Sequence, residues 1–91
     1  MFAGGDYEEV GRWLWNFLTS HAKREQPRIE VALDDAPERE GVSYGARLRF
    51  RDRVSPLMEF DFKEVADRRE SLAWCADLAA RTRARARELL D

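Results

Sequence analysis

The residues able to do chemistry are few and scattered. His21 is the sole histidine and Cys75 the sole cysteine of the 91-residue chain, so no multi-histidine metal centre and no intramolecular disulfide can be built. No Ser–His–Asp or Cys–His arrangement can be read from the positions present. Gly4-Gly5 is not followed by Gly-Lys-Ser/Thr and no strand precedes it, which excludes a phosphate-binding loop. Asp34, Asp35, Glu38 and Glu40 lack the alternating ligand positions and the glycine of a calcium-binding loop; a solvated connection is expected there. An enzyme would be left with carboxylate chemistry alone. The sequence points away from catalysis and implies neither a cofactor nor a metal.

Binding chemistry is better supplied. Arg47, Arg49 and Arg51 alternate along a segment with strand character, which would set them in a row about 6.6 Å apart. In a meander this row lies between Glu30 on one neighbour and Glu59 and Asp61 on the other, and a cross-strand charge ladder is expected to neutralise it. A second arginine group, Arg81, Arg83, Arg85 and Arg87, has a spacing of two on a helix. That divides it into Arg81/Arg85 and Arg83/Arg87 on roughly opposite sides. Asp77 can pair with Arg81 and Glu88 with Arg85. These two groups are the candidate anion or nucleic-acid contacts. Trp15 and Trp74 stand well away from the centres of their helices' apolar faces, and Leu57 faces outward on a strand. Exposed tryptophan is enriched at interfaces, so Trp15, Leu57 and Trp74 are the candidate partner-binding residues.

The elements that must position these groups follow from periodicity. Met1–Gly5 is expected to be a loose end. Asp6 with Glu9 forms a capping box, after which Val10, Trp13, Leu14, Phe17, Leu18 and His21 recur on one helical face. Pro27 forbids continuation. Three period-2 runs follow. Ile29, Val31 and Leu33 face inward on the first, and Val42, Tyr44, Ala46, Leu48 and Phe50 on the second. Met58, Phe60 and Phe62 do so on the third. A last helix starts between Asp61 and Ser71, with capping boxes Asp61/Glu64 and Asp67/Glu70 competing for its beginning. Its expected apolar stripe is Val65, Leu72, Cys75, Ala76, Ala79, Ala86 and Leu90. Short connections favour an antiparallel meander in chain order, and only the helices can cover its apolar face. The expected architecture is a single α+β domain over residues 1–91: helix, three-stranded antiparallel meander, helix (α-β-β-β-α), with both helices on one face of the sheet and the other face open.

This element order resembles the double-stranded-RNA-binding domain, which shares the α-β-β-β-α topology. The resemblance implies RNA contacts from the first helix, the loop between the first two strands and the start of the second helix. The motifs depart from that family. The loop reads Ala36-Pro37-Glu38-Arg39-Glu40-Gly41 instead of Gly-Pro-x-His. The segment Lys63-Glu64-Val65-Ala66-Asp67-Arg68-Arg69 stands where a Lys-Lys-x-Ala-Lys cluster belongs. The resemblance therefore covers topology and carries no site residue across.

The bulk composition sets the class. Apolar residues make up 44% of the chain, and 16 basic against 18 acidic residues leave a net charge of −2. That suits a globular protein and opposes a strong non-specific grip on phosphate backbones. The N-terminal segment lacks the pattern of a secretory signal and no run approaches a membrane span, so a cytoplasmic location is expected. The expected function is a small non-enzymatic binding or regulatory module acting through protein–protein contact, with a partner or with a second copy of itself. The alternative is an RNA-binding module that uses its arginine-rich surfaces.

Overall fold

The structure, a computed structural model, describes residues 5–91; the loose segment expected over residues 1–5 lies outside them except for Gly5. Helix α1 (Tyr7–Glu25) leads to strand β1 (Glu30–Leu33). A connection with a 3₁₀ turn at Pro37–Arg39 then leads to β2 (Ser43–Phe50), β3 (Arg53–Val54) and β4 (Met58–Asp61), and helices α2 (Phe62–Arg68) and α3 (Leu72–Leu90) follow. The α+β class and the antiparallel sheet covered by helices agree with the sequence expectation. Two elements differ from it: the third strand is broken in two, and so is the last helix.

The break in the strand has a local cause. β2 is central, with β1 on one edge and both β3 and β4 on the other. Arg49 is paired with Val54 but Ala46 with Met58, so the third strand carries one extra residue between these pairs. The bulge falls at Ser55-Pro56-Leu57, where Pro56 has no N–H to give to a ladder. The Ser55 N–H donates to the Leu48 carbonyl at 2.9 Å, and its buried hydroxyl accepts from the Leu48 N–H at 2.9 Å. One short polar side chain thus replaces a missing rung. Val42, expected to face inward, precedes β2 and is 59% exposed.

The last helix divides because two caps are used in succession. Asp61 accepts from the Glu64 N–H at 3.0 Å to start α2, directly off β4. Ser71 accepts from the Trp74 N–H at 3.2 Å to start α3. The expected second box at Asp67/Glu70 is not used, since Asp67 lies inside α2. The break at Arg69–Ser71 resets the helical phase, so the stripe that starts from Val65 holds only in part in α3: Ala86 is buried and Cys75, Ala79 and Leu90 are half-buried, but the buried face is rotated away from Leu72 and Ala76. Leu78, Thr82, Ala86 and Leu89 are buried there, whereas Leu72 is 88% exposed and Ala76 is exposed.

The core lies between the sheet and the two long helices. Val10, Leu14 and Leu18 of α1 and Leu78 and Ala86 of α3 meet Ile29, just before β1, and Val31, Tyr44, Ala46 and Leu48 from the strands. The helices run side by side in one direction: Trp13 lies beside Trp74 near their starts, and Glu25 beside Arg83 and Arg87 near their ends.

Candidate interaction surfaces

Trp15 lies on the flank of α1 that overhangs the free edge of β1. The Asp34 N–H donates to the Gly45 carbonyl at 2.7 Å. Backbone alternation therefore turns Ala32 and Glu30 toward β2, and Val31 and Leu33 toward the open edge. The Trp15 Nε1–H donates to the Val31 carbonyl at 2.9 Å. This indole closes one of the outward backbone groups of β1 while the ring remains 40% exposed. Next to it is a cleft of about 410 Å³, lined by Tyr7, Gly11, Trp15, Leu33 and Tyr44, with Glu8, Arg12 and Asp34 at its margin. Its aromatic wall is rigid. Tyr7 and Tyr44 stack at 4.6 Å with an 8° interplanar angle, the Tyr7 hydroxyl donates to the Ser43 carbonyl at 2.5 Å, and the Tyr44 hydroxyl donates to the Tyr7 carbonyl at 2.6 Å. Burial pushes both phenol pKa values up, which keeps both groups protonated as donors.

The other two candidate contact residues are placed differently. Trp74 is half-buried and stacks on Trp13 at 6.4 Å, which in turn stacks on Phe17 at 5.1 Å. It belongs to the α1–α3 packing, on the side of α3 opposite to exposed Leu72. Leu57 is half-buried in the bulge and lines a groove of about 420 Å³ between β4 and α3 with Met58, Phe60 and Ala84. Arg81, Arg85 and Glu88 line the same groove. Trp15 alone of the three is exposed.

The arginine row on β2 stands outward as expected, but the charge ladder does not form around it. Register sets Glu59 opposite Gly45 and Asp61 opposite Ser43, away from the arginines. Arg49 faces Glu30 and Arg47 faces Ala32 on β1. Glu59 is instead held by Arg39 at 3.0 Å, and Asp61 caps α2. Among the described residues, Arg47 and Arg49 make no ion pair and no hydrogen bond through their side chains. Arg51, in the two-residue turn between β2 and β3, has a φ of 59° and holds its guanidinium 5.0 Å from the centre of the Phe50 ring.

Arg39 is a residue that periodicity could not single out. Glu40, at φ −57° and ψ 125°, and Gly41, at φ 74°, form a turn closed by the Val42 N–H on the Arg39 carbonyl at 2.8 Å. This is type II geometry, and it needs a glycine at its third residue. The turn folds the loop back so that Arg39 lies on the outer face of the sheet. There it donates from Nε to Asp34 at 2.5 Å and from Nη1 to the Ser43 hydroxyl at 3.0 Å, in addition to its Glu59 bond. Part of the face expected to be open is therefore covered. Gly41 and Gly45, both ill-suited to a regular strand, were the available signals.

All four arginines of α3 are paired. Arg81 meets Asp77 at 3.1 Å and Arg85 meets Glu88 at 3.3 Å, while Arg83 and Arg87 both reach Glu25 at 3.0 Å. The division into two sides matches the sequence reading; Glu25 as the shared partner was not foreseen. The Arg87 and Arg83 guanidiniums hold the Glu25 carboxyl below its usual range. Taken as a nucleic-acid surface, this tract is largely neutralised within the chain.

The two lone reactive side chains are packed. The His21 ring lies 4.5 Å from Phe17, and burial, then Arg24 and Arg83, lowers its pKa. The Cys75 thiol donates to the Arg69 carbonyl at 3.4 Å, and burial raises its pKa. Among the described residues no group of three His, Cys, Asp or Glu side chains could hold a metal ion, and no helix is long and apolar enough to cross a membrane. No protein-family model, no curated protein and no solved structure matches this chain.

Proposed function

We propose that the chain is a non-enzymatic binding module that works in the cytoplasm by contact with another protein, and that it takes an extended segment of that partner in the cleft beside Trp15. Trp15 carries the reading. A large ring is held in place by its own Nε1–H on Val31, yet 40% of its surface faces solvent. Rigid, part-exposed aromatics lose little conformational freedom on binding and supply much of the energy at interfaces. Leu33 turns its backbone N–H and C=O to the free edge within reach of the cleft, so an extended segment can pair there and set a side chain between Trp15 and Tyr44. The single thiol at Cys75 suits a reducing compartment. Quantitative affinity capture from the native cell tests this, comparing wild type with Arg12→Glu and Trp15→Ala variants that have each been checked for folding. A partner retained by wild type and lost by both variants supports the proposal, provided that its cross-links map to the cleft. Equal recovery by all three proteins overturns it.

Nucleic-acid binding is the second reading, and one observation favours it: the β2 arginine row has no carboxylate holding it. Against it stand the paired arginines of α3 and the acidic loop between β1 and β2. Titration of labelled duplex RNA at low and physiological salt tests it, with steeply salt-dependent binding as the required result.

A further inference from the structure

We propose that the outer face of the sheet around Arg47 and Arg49 docks an acidic, extended segment of a partner protein. The two surfaces meet at the edge of β1, where Trp15, Leu33 and Asp34 border both, but Arg47 and Arg49 do not line the Trp15 cleft, so the inference can fail while the cleft reading stands, and the converse also holds. Two of the three carboxylates that could have neutralised the row are committed elsewhere: Glu59 to Arg39, and Asp61 to the start of α2. Glu30 is directly opposite Arg49 but makes no ion pair with it among the described residues. Two unpaired guanidiniums therefore project from the central strand on the solvent side.

The neighbours leave room for a ligand. Ala32 is opposite Arg47 on β1 and exposed Val54 is opposite Arg49 on β3, and shallow depressions beside β1 are lined by these residues. Alternate residues of a strand are about 6.6 Å apart, the same interval as alternate side chains of an extended peptide. Carboxylates at every second position of such a segment would meet Arg47 and Arg49 in turn, each able to accept a paired N–H contact. Ala32 and Val54, small or apolar and on the same face, leave the flanks of the two guanidiniums open to those carboxylates.

A peptide suits this face better than nucleic acid. The outward residues of the sheet include no aromatic ring on which a base could stack. Asp35 and Glu30 border the patch, so it suits a short stretch with two carboxylates and not a phosphate backbone that continues past it. The attraction is short and local, in keeping with an acidic segment.

Fluorescence anisotropy of the full chain tests the assignment. One probe is a labelled peptide alternating glutamate and valine, and the other a labelled RNA duplex, each at low and physiological salt. The expected result is saturable peptide binding that strengthens as salt falls and weakens roughly tenfold or more in Arg47→Glu/Arg49→Glu. An Arg81→Glu/Arg85→Glu variant should bind as wild type does, since those arginines lie on α3. No peptide binding at low salt, equal binding by the Arg47/Arg49 variant, or equal losses in both variants overturns the proposal. RNA binding that matches or exceeds peptide binding also overturns it and assigns the row to nucleic acid.

Discussion

Arg39 and Gly45 are fitted to one another across the outer face of the sheet: a β-carbon built on Gly45 would lie 2.9 Å from the Arg39 Cζ. The guanidinium lies flat where the central strand has no side chain, and it reaches Asp34, Ser43 and Glu59 from there. Gly45→Ala should lift Arg39 off the strand and cost about 1 kcal/mol net, because the lost Arg39 hydrogen bonds outweigh the roughly 0.5–1 kcal/mol gained by replacing a strand glycine, read as a lower urea midpoint. Unchanged stability would mean that Arg39 shifts aside at no cost.

Glu25 ties the end of α1 to α3. Because its folded-state pKa lies below the ordinary 4.5, its carboxylate contributes stability that is fully present above that value and lost as the pH falls through the folded-state pKa. Glu25→Gln should therefore be less stable than wild type at neutral pH, and the gap should close in acid. Denaturation midpoints measured from pH 7 down to about pH 3 check this, and a gap that holds constant with pH would contradict it.

The Trp15 indole closes a backbone carbonyl at the β1 edge. Trp15→Phe keeps a ring but removes the donor, and should cost about 0.5–1.5 kcal/mol. Thermal unfolding of the two proteins at one concentration measures the difference. Equal stability would mean that water replaces the indole N–H without loss.

The phase of α3 can be tested with two leucines. Leu78 is fully buried and Leu72 is 88% exposed. Leu78→Ala should cost about 2–5 kcal/mol, and Leu72→Ala should stay within about 0.5 kcal/mol of wild type. The reverse ranking would restore the stripe expected from Val65 and overturn the helix break.

Sequence alone determined the element types and most of their faces. Asp6, Asp61 and Pro27 mark helix ends by local hydrogen bonding and sterics. The alternation of Ile29, Val31 and Tyr44, Ala46, Leu48 sets which side of the sheet is buried, because side chains alternate strictly along a strand. The facing of Leu57, Glu59 and Met58 was legible for the same reason, and the two-sided split of the α3 arginines follows from helical geometry. Tertiary structure decided what depends on one element meeting another. The tight turn at Arg51-Asp52 fixed the hairpin register, and with the one-residue bulge at Ser55–Leu57 it set Glu59 opposite Gly45 and Asp61 opposite Ser43, away from Arg47 and Arg49. The break at Arg69–Ser71 turned Trp74 toward Trp13 and Leu72 toward solvent, since a helix interrupted for three residues keeps no memory of its phase. The partners of Arg39 and Glu25 are 20 and up to 62 residues away along the chain. Local patterns have no access to such pairs, because packing alone brings the two charges together.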